Sequence, residues 1–270
     1  MRSVFYISDQ TGITTEKLGT ALLGKFPGIE FRREGFPFVD SAAKVNNALV
    51  RIKDRYLQDG QKPIIVSSVI NPELRQMLKV DYALNLDFFE AFIDQLELEL
   101  GVKATLEINK IHGIGNQENY NHRIEAIHFS LENDDGVSVK NYDEADVILV
   151  GVSRVGKTPT CIYLAVNYGL KCANYPFAEQ DLHSDHLPKI LVPFHGKLFG
   201  LSIEAERLHN IRSSRLPNSK YAEISTCLTE VKAAEHIMHN CGIPFLNTSK
   251  KSIEEISVAI MQRVKLKRQF

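Results

Sequence analysis

The residues best suited to chemistry form one loop pattern in the second half of the chain. Residues 151–158 read Gly-Val-Ser-Arg-Val-Gly-Lys-Thr, and this spacing of two glycines before Lys-Thr is typical of loops that cradle phosphates. Backbone N–H groups of such a loop surround an anion, Lys157 can neutralise a phosphate, and the Thr158 hydroxyl can ligate Mg²⁺. The predicted nucleotide-binding residues are therefore Gly151, Val152, Ser153, Arg154, Val155, Gly156, Lys157 and Thr158.

The segments on either side of this loop have the character that a phosphate site requires. Residues 147–150 are an unbroken apolar run, which is typical of a strand buried on both faces of a parallel sheet. Residues 161–165 carry apolar side chains at helical spacing, and Pro159 is tolerated in the first turn because its N–H would have no intrahelical partner. Strand, loop and helix in this order predict a P-loop.

Strand and helix patterns alternate along most of the chain. Apolar runs predict further strands at residues 4–7, 64–66, 171–176, 190–192, 198–203 and 243–246. The alternation predicts an α/β fold with mostly parallel sheets flanked by helices and a P-loop in the C-terminal part. Residues 101–143 interrupt it with glycines and asparagines, so we predict an N-terminal α/β domain over 1–105 and a P-loop nucleotide-binding α/β domain over 106–270.

Polar residues follow the first predicted strand and allow two interpretations. Asp9, Thr11 and Thr14 lie just after residues 4–7, and ligands of open α/β sheets bind outside the carboxyl ends of strands. The alternative is turn and cap chemistry, in which Thr14 or Thr15 caps the helix that follows.

Two other groups of charged residues are also open to two interpretations. Asp134 and Asp135 lie in the strong turn signal of residues 133–136, which is compatible with a hairpin. They are either a solvated turn or metal and general-base candidates for the phosphate site. Arg207, Arg212 and Arg215 either solvate a helix face or contact a second phosphate, because the planar guanidinium suits phosphate oxygens.

Composition excludes several classes of protein. The 270 residues carry a formal net charge of -1, which argues against general binding to nucleic acid or membranes. The four cysteines have no C-x-x-C spacing, so we expect reduced thiols rather than a disulfide framework or a zinc site. No signal peptide and no apolar run of about 18 residues is visible. These features predict a cytoplasmic protein, and a homodimer is the expected assembly from its frequency among oligomers.

Several motifs together resemble those of the bacterial pyruvate, phosphate dikinase/phosphoenolpyruvate synthase regulatory proteins. Residues 7–14 (Ile-Ser-Asp-Gln-Thr-Gly-Ile-Thr) resemble one motif of that family, and residues 151–160 with 162–165 resemble its central motif. The match is extended at residues 173–176, 199–201, 211–212 and 252–256. Ala-Asn-Tyr-Pro-Phe and Gly-Lys-Thr-Pro-Thr are more similar to the branch that acts on the synthase than to the branch that acts on the dikinase.

The resemblance implies a bifunctional serine/threonine kinase and phosphorylase. Such proteins use ADP to phosphorylate and inactivate the synthase on a threonine, and they remove that phosphate with inorganic phosphate, releasing pyrophosphate. Phosphoenolpyruvate synthase is then the protein partner, residues 151–158 are the ADP-binding loop, and Mg²⁺ is expected on Thr158. The expected catalytic residues are Lys157, Thr158, Arg154 and Asp9.

The sequence leaves open which aspartate orients the target hydroxyl and which of several functions the chain has. Asp9 and Asp146 are both candidates to orient the target hydroxyl. One alternative is the same chemistry on pyruvate, phosphate dikinase. The others are a P-loop kinase of small molecules or nucleotide hydrolase, and a nucleotide-sensing module without chemistry.

Overall fold

The computed structural model describes residues 1–105, 117–136 and 141–266. It separates into two compact units, Met1–Ile111 and His112–Phe270. The predicted domain boundary at 105/106 adjoins residues 106–116, which lie outside the described residues. Each unit contains a four-stranded parallel sheet flanked by helices, which confirms the predicted α/β class. No described helix combines the length and apolar character that a membrane span would need.

The first unit is built on a sheet with strand order β2-β1-β3-β4. The strands are β1 (Arg2–Ser8), β2 (Phe31–Phe36), β3 (Ile64–Ser68) and β4 (Leu84–Asp87). The helices are α1 (Ile13–Leu23), α2 (Ala42–Asp59), α3 (Pro72–Met77) and α4 (Phe88–Leu100). Apolar side chains from both faces of the central strands β1 and β3 are buried against these helices, so the core of this unit lies on both sides of its sheet.

The second unit carries the predicted loop on a sheet with strand order β6-β5-β7-β8. The strands are β5 (Val147–Gly151), β6 (Cys172–Pro176), β7 (Leu198–Ser202) and β8 (Phe245–Asn247). The helices are α5 (Gln117–Glu132), α6 (Lys157–Tyr168), α7 (Glu179–Leu182), α8 (Ala205–Arg215), α9 (Ile224–Asn240) and α10 (Ile253–Val264). Every residue of β5 is buried. Because β6 and β7 flank β5, the loop after β5 has the end of β6 on one side and the ends of β7 and β8 on the other.

One predicted strand is wrong. Residues 190–192 belong to the 3₁₀ helix Lys189–Lys197. Pro188 and Pro193 bound this apolar run, and only Leu191 is buried while Ile190 and Val192 stay exposed. A run of three apolar residues is too short to distinguish a strand from a buried turn of helix.

Two local predictions at turns are also wrong. The N-cap of α1 is Gly12, in the left-handed conformation, because the Thr15 side chain is buried and shares a hydrogen bond with Ser68. The turn at residues 133–136 follows α5 rather than a strand, so it does not form the hairpin considered above. Residues 137–140 lie outside the described residues.

Candidate functional site

The loop between β5 and α6 turns back sharply on itself. Gly151 has φ 143°, and a Cβ at this position would lie 2.2 Å from the carbonyl oxygen of Leu201 on the neighbouring strand. Arg154 and Gly156 are also left-handed, with φ 78° and 96°. A left-handed conformation of a non-glycine residue such as Arg154 costs about 1–3 kcal/mol and is common at ligand sites. Among the described residues no side chain caps α6, so its first N–H groups remain available to an anion.

Lys157 lies inside this turn. Its side chain is buried, and Nζ donates hydrogen bonds to the carbonyl oxygens of Gly151 at 3.2 Å and Val152 at 3.0 Å. Burial lowers the pKa of Lys157 to about 8, although the nearby carboxylates of Asp135 and Asp134 act to raise it. The loop therefore holds a cation in its centre with carbonyl oxygens as its only hydrogen-bond partners among the described residues.

Thr158 contacts a carboxylate that comes from the turn after α5. Its Oγ1 donates to Asp134 Oδ1 at 2.8 Å, and the side-chain amide of Asn174, in the middle of β6, donates to the same oxygen. The N–H of Asp135 donates to Asn174 Oδ1 at 3.1 Å, which fixes the turn against β6. The structure thus brings together two residues that the sequence predicted separately, the hydroxyl of Thr158 and the carboxylate of Asp134.

This pair has the chemistry that Mg²⁺ prefers. Mg²⁺ takes hard oxygen ligands and usually keeps one or two protein oxygens alongside substrate phosphates and waters. Thr158 and Asp134 supply two such oxygens in contact. Within the described ranges no group of three or more His, Cys, Asp or Glu residues could hold a metal by itself, so the fit is to a metal shared with a phosphate ligand.

Arg212 supports the loop from behind. Its fully buried guanidinium donates to the carbonyl oxygen of Ser153 at 3.2 Å, to that of Tyr221 at 3.0 Å and to Glu230 Oε2 at 2.6 Å. It also lies 4.0 Å from the Tyr221 ring, and the Tyr221 hydroxyl donates to Ser153 Oγ at 3.1 Å. The phosphate contact considered for Arg212 is therefore wrong, because the side chain is fully buried and both terminal nitrogens already donate to protein oxygens, one of them in the loop. Arg215 lies exposed in the last turn of α8.

The other side of the loop is tied to β7 and β8. The Thr248 N–H donates to the carbonyl oxygen of Ser202 at 2.9 Å, and its Oγ1, which lies 3.1 Å from the carbonyl oxygen of Val155, can donate to that oxygen. Beside this contact lies a cavity of about 260 Å³ whose lining includes Arg154, Arg207 and Lys251. Sequence reasoning missed Thr248, which follows the shortest strand and has no motif of its own.

Asp146 and Asp9 are the two aspartates considered for orienting the target hydroxyl. Asp146 precedes β5, where it accepts the N–H of Lys171 at 2.8 Å. About 16 Å of strand then separates it from the loop at the carboxyl end, which excludes it from that role. Asp9 lies in the first unit, where its buried Oδ2 accepts the N–H of Ile70 at 2.6 Å and burial raises its pKa. The catalytic role of Asp9 stays a prediction.

Comparisons with known proteins point to a single family along nearly the whole chain. A family model described as kinase/pyrophosphorylase matches residues 4–261. The chain is 51% identical to a protein of Laribacter hongkongensis (strain HLHK9), covering 100% of this chain and 98% of that one. It is 49% identical to a protein of Neisseria gonorrhoeae (strain ATCC 700825 / FA 1090), covering 100% and 98%, and 45% identical to one of Legionella pneumophila (strain Corby), covering 100% and 99%. All three relatives carry the provisional name phosphoenolpyruvate synthase regulatory protein.

Proposed function

Because the chain belongs to the kinase/pyrophosphorylase family, we propose that it is a bifunctional enzyme that regulates phosphoenolpyruvate synthase by reversible phosphorylation. In one direction ADP phosphorylates a threonine of the synthase and inactivates it. In the other, inorganic phosphate removes that phosphoryl group as pyrophosphate and restores activity. The names of the relatives support the synthase as the target.

One observation carries the proposal. Lys157 lies buried in a sharply turned loop at the N-terminus of α6, and the next residue, Thr158, contacts the carboxylate of Asp134. A buried cation, free N–H groups and an oxygen pair for Mg²⁺ are the parts that phosphoryl transfer needs, since its catalysis is mostly positioning and charge neutralisation. A bound Mg²⁺ would be held by Thr158 and Asp134 and would neutralise phosphate charge.

In the kinase direction the threonine oxygen bonds to the β-phosphorus of ADP. The bond between that phosphorus and the bridging oxygen breaks, and AMP leaves with the electron pair. Lys157 and the first N–H groups of α6 stabilise the charge that develops on the phosphoryl oxygens. The hydroxyl proton passes to a carboxylate, for which the candidates are Asp135, whose charge acts on Lys157, and Asp9 of the first unit.

In the reverse direction an oxygen of inorganic phosphate bonds to the phosphorus of phosphothreonine. The bond from phosphorus to the threonine oxygen breaks, that oxygen takes the proton that the attacking hydrogen phosphate carried, and pyrophosphate is released. The nucleophile is already an anion, so it depends on cationic groups more than on a base. The same buried lysine therefore serves both directions.

The decisive experiment compares both reactions on purified targets. The chain is incubated with ADP and either phosphoenolpyruvate synthase or pyruvate, phosphate dikinase, and phosphothreonine is measured; phosphorylated synthase with inorganic phosphate is then assayed for pyrophosphate. We expect both activities on the synthase, their loss in Lys157→Ala, and their retention in Lys189→Ala, which changes an exposed lysine. Pyrophosphate formation by Lys157→Ala would require two separate sites.

The same assay separates the alternative functions. Modification of the dikinase alone would assign the chain to the other target. Transfer to a member of a small-metabolite panel but to neither protein would favour a small-molecule kinase. ADP binding without transfer to any acceptor would favour a nucleotide-sensing module.

The location and assembly of the enzyme also belong to the proposal. All four cysteines are free thiols, which suits a reducing compartment such as the cytoplasm. The expected homodimer is checked by light scattering of the purified chain, where the mass of a monomer would contradict it.

A further inference from the structure

A cationic pocket lies on the side of the loop opposite Asp134. Asp134 is held against Asn174 of β6, whereas the cavity of about 260 Å³ is lined by residues that follow β7 and β8, among them Arg207 and Lys251. Because β6 and β7 lie on opposite sides of β5, the carboxylate and the cavity flank the loop from opposite directions. We call this cavity the Arg207 pocket.

The charges of the Arg207 pocket all have the same sign. Arg154, Arg207 and Lys251 line it, and none of its described lining residues is acidic. All three side chains are exposed, and none of them forms an ion pair with any of the described residues. Three cations without a carboxylate partner repel one another, so the arrangement is stabilised when an anion binds between them.

The remaining walls of the pocket strengthen this electrostatic preference. They are mainly apolar: Val155, Pro159, Ile203, Ile211, Ile253 and Ile256. These apolar side chains offer the three cations no acceptor, so an anion that enters the pocket meets no competition from them. The forked guanidinium matches phosphate oxygens in particular.

The backbone holds this pocket in register with the loop. Arg154, in the middle of the loop, has a left-handed conformation. Thr248 joins the loop to β7, since its N–H donates to the Ser202 carbonyl oxygen and its Oγ1 lies 3.1 Å from the Val155 carbonyl oxygen. Arg212, on the same helix as Arg207, is turned instead into the support behind the loop. Of the three arginines of α8, only Arg207 therefore lines the pocket. Lys251, which the sequence did not single out, is a further cation of its lining.

We propose that the Arg207 pocket is a second phosphate-binding site, which takes a phosphate group other than the one held beside Lys157. This inference rests on the proposed function. Two sources supply such a group: the inorganic phosphate that attacks phosphothreonine, and the α-phosphate of the nucleotide. Both place a phosphate next to the transferred group, as in-line transfer requires.

The test uses matched pairs of variants in the full chain. Arg207→Gln and Lys251→Gln remove charge from the pocket, while Arg215→Gln on the same helix and the neighbouring Lys250→Gln remove charge from exposed residues that do not line it. Dissociation constants for inorganic phosphate and for ADP are measured by calorimetry, together with the phosphate concentration that half-saturates pyrophosphate formation. Unchanged thermal melting verifies that each variant folds.

The expected result is a loss of about tenfold or more for one ligand in both pocket variants, as for a charge-assisted hydrogen bond, with little change in either control. A selective loss for inorganic phosphate identifies the attacking phosphate as the occupant, and a selective loss for ADP identifies the α-phosphate. Unchanged binding of both ligands would overturn the inference. Because the binding measurements need no turnover, they stand even if the wild-type chain transfers no phosphate, which would refute only the proposed reaction.

Discussion

The buried ammonium of Lys157 should give the stability of the chain a distinctive pH dependence. Burial lowers its pKa from the ordinary 10.5 to about 8 in the native state. Between these two values the unfolded chain binds a proton that the native chain has lost. The free energy of unfolding contributed by this residue therefore rises as the pH rises, because stability increases with pH wherever the unfolded state binds more protons.

The size of the effect follows from the same shift. Each pH unit across which only the unfolded lysine is charged adds about 1.4 kcal/mol to the free energy of unfolding. Because the lysine is partly titrated in both states near the ends of the range, the total increase between pH 8 and 10 is about 2 kcal/mol. Other groups act in the opposite direction: burial raises the pKa of the Cys161 and Cys172 thiols, so their unfolded forms ionise first. The wild-type profile alone is thus ambiguous, and a Lys157→Met variant is the necessary reference.

The assay is urea unfolding followed by far-ultraviolet circular dichroism at pH 8, 9 and 10. The stability difference, wild type minus Lys157→Met, should rise by about 2 kcal/mol across this range. Lys189→Met, which removes an exposed lysine, should show no such rise. A flat or falling difference for Lys157→Met would show that the lysine keeps an ordinary pKa, and the argument for a buried, desolvated cation in the loop would fail.

Two further changes test how the loop is held. Gly151→Ala should destabilise the chain by at least about 2 kcal/mol, because the new Cβ would overlap the Leu201 carbonyl oxygen and the backbone would be strained. The control Gly156→Ala, whose Cβ would meet no atom within 4 Å, should cost only about 1 kcal/mol. Equal losses of stability in urea unfolding would contradict the clash. Arg212→Met should cost about 2–3 kcal/mol by the same measurement, since it leaves the partly exposed carboxylate of Glu230 without its partner, and adding Glu230→Gln should recover part of that loss; no recovery would mean that the ion pair is not the cause.

The order of strand, loop and helix around residues 151–158 could be predicted because its determinants are contiguous, while the binding of phosphate by this loop stays a prediction. The buried strand, the glycines and the helix with its first-turn proline all lie between residues 147 and 165, so local rules reach every part of them. Strand β2 was missed for the opposite reason. Its sequence Phe-Arg-Arg-Glu-Gly-Phe is half exposed at a sheet edge, where apolar patterning is weak.

The surroundings of the loop could not be predicted because they come from distant parts of the chain. Asp134 reaches Thr158 across 24 positions, Arg212 reaches Ser153 across 59, and Thr248 reaches Val155 across 93. Residue type suggested that Asp134 and Arg212 were functional, but it could not tell a carboxylate facing the loop from an arginine supporting it. That distinction depends on which strand ends flank β5, and strand order is a tertiary property.

Strand order also suggests why one loop can serve two opposed reactions. Under the proposed function, the β6 side supplies the oxygens of Thr158 and Asp134 for Mg²⁺ and the carboxylate of the adjacent Asp135 as a proton acceptor, and the β7–β8 side supplies the cations of the Arg207 pocket. A hydroxyl nucleophile needs a carboxylate to take its proton, whereas a phosphate nucleophile needs cations to offset its charge. Because Lys157 lies between the two sides, the hydroxyl nucleophile has a carboxylate and the phosphate nucleophile has cations beside the same transferred phosphoryl group. With inorganic phosphate as its occupant, removing charge from the Arg207 pocket should impair the pyrophosphate-forming reaction without abolishing phosphorylation by ADP, whereas an α-phosphate occupant should make phosphorylation by ADP the weaker reaction; Lys157→Ala should abolish both.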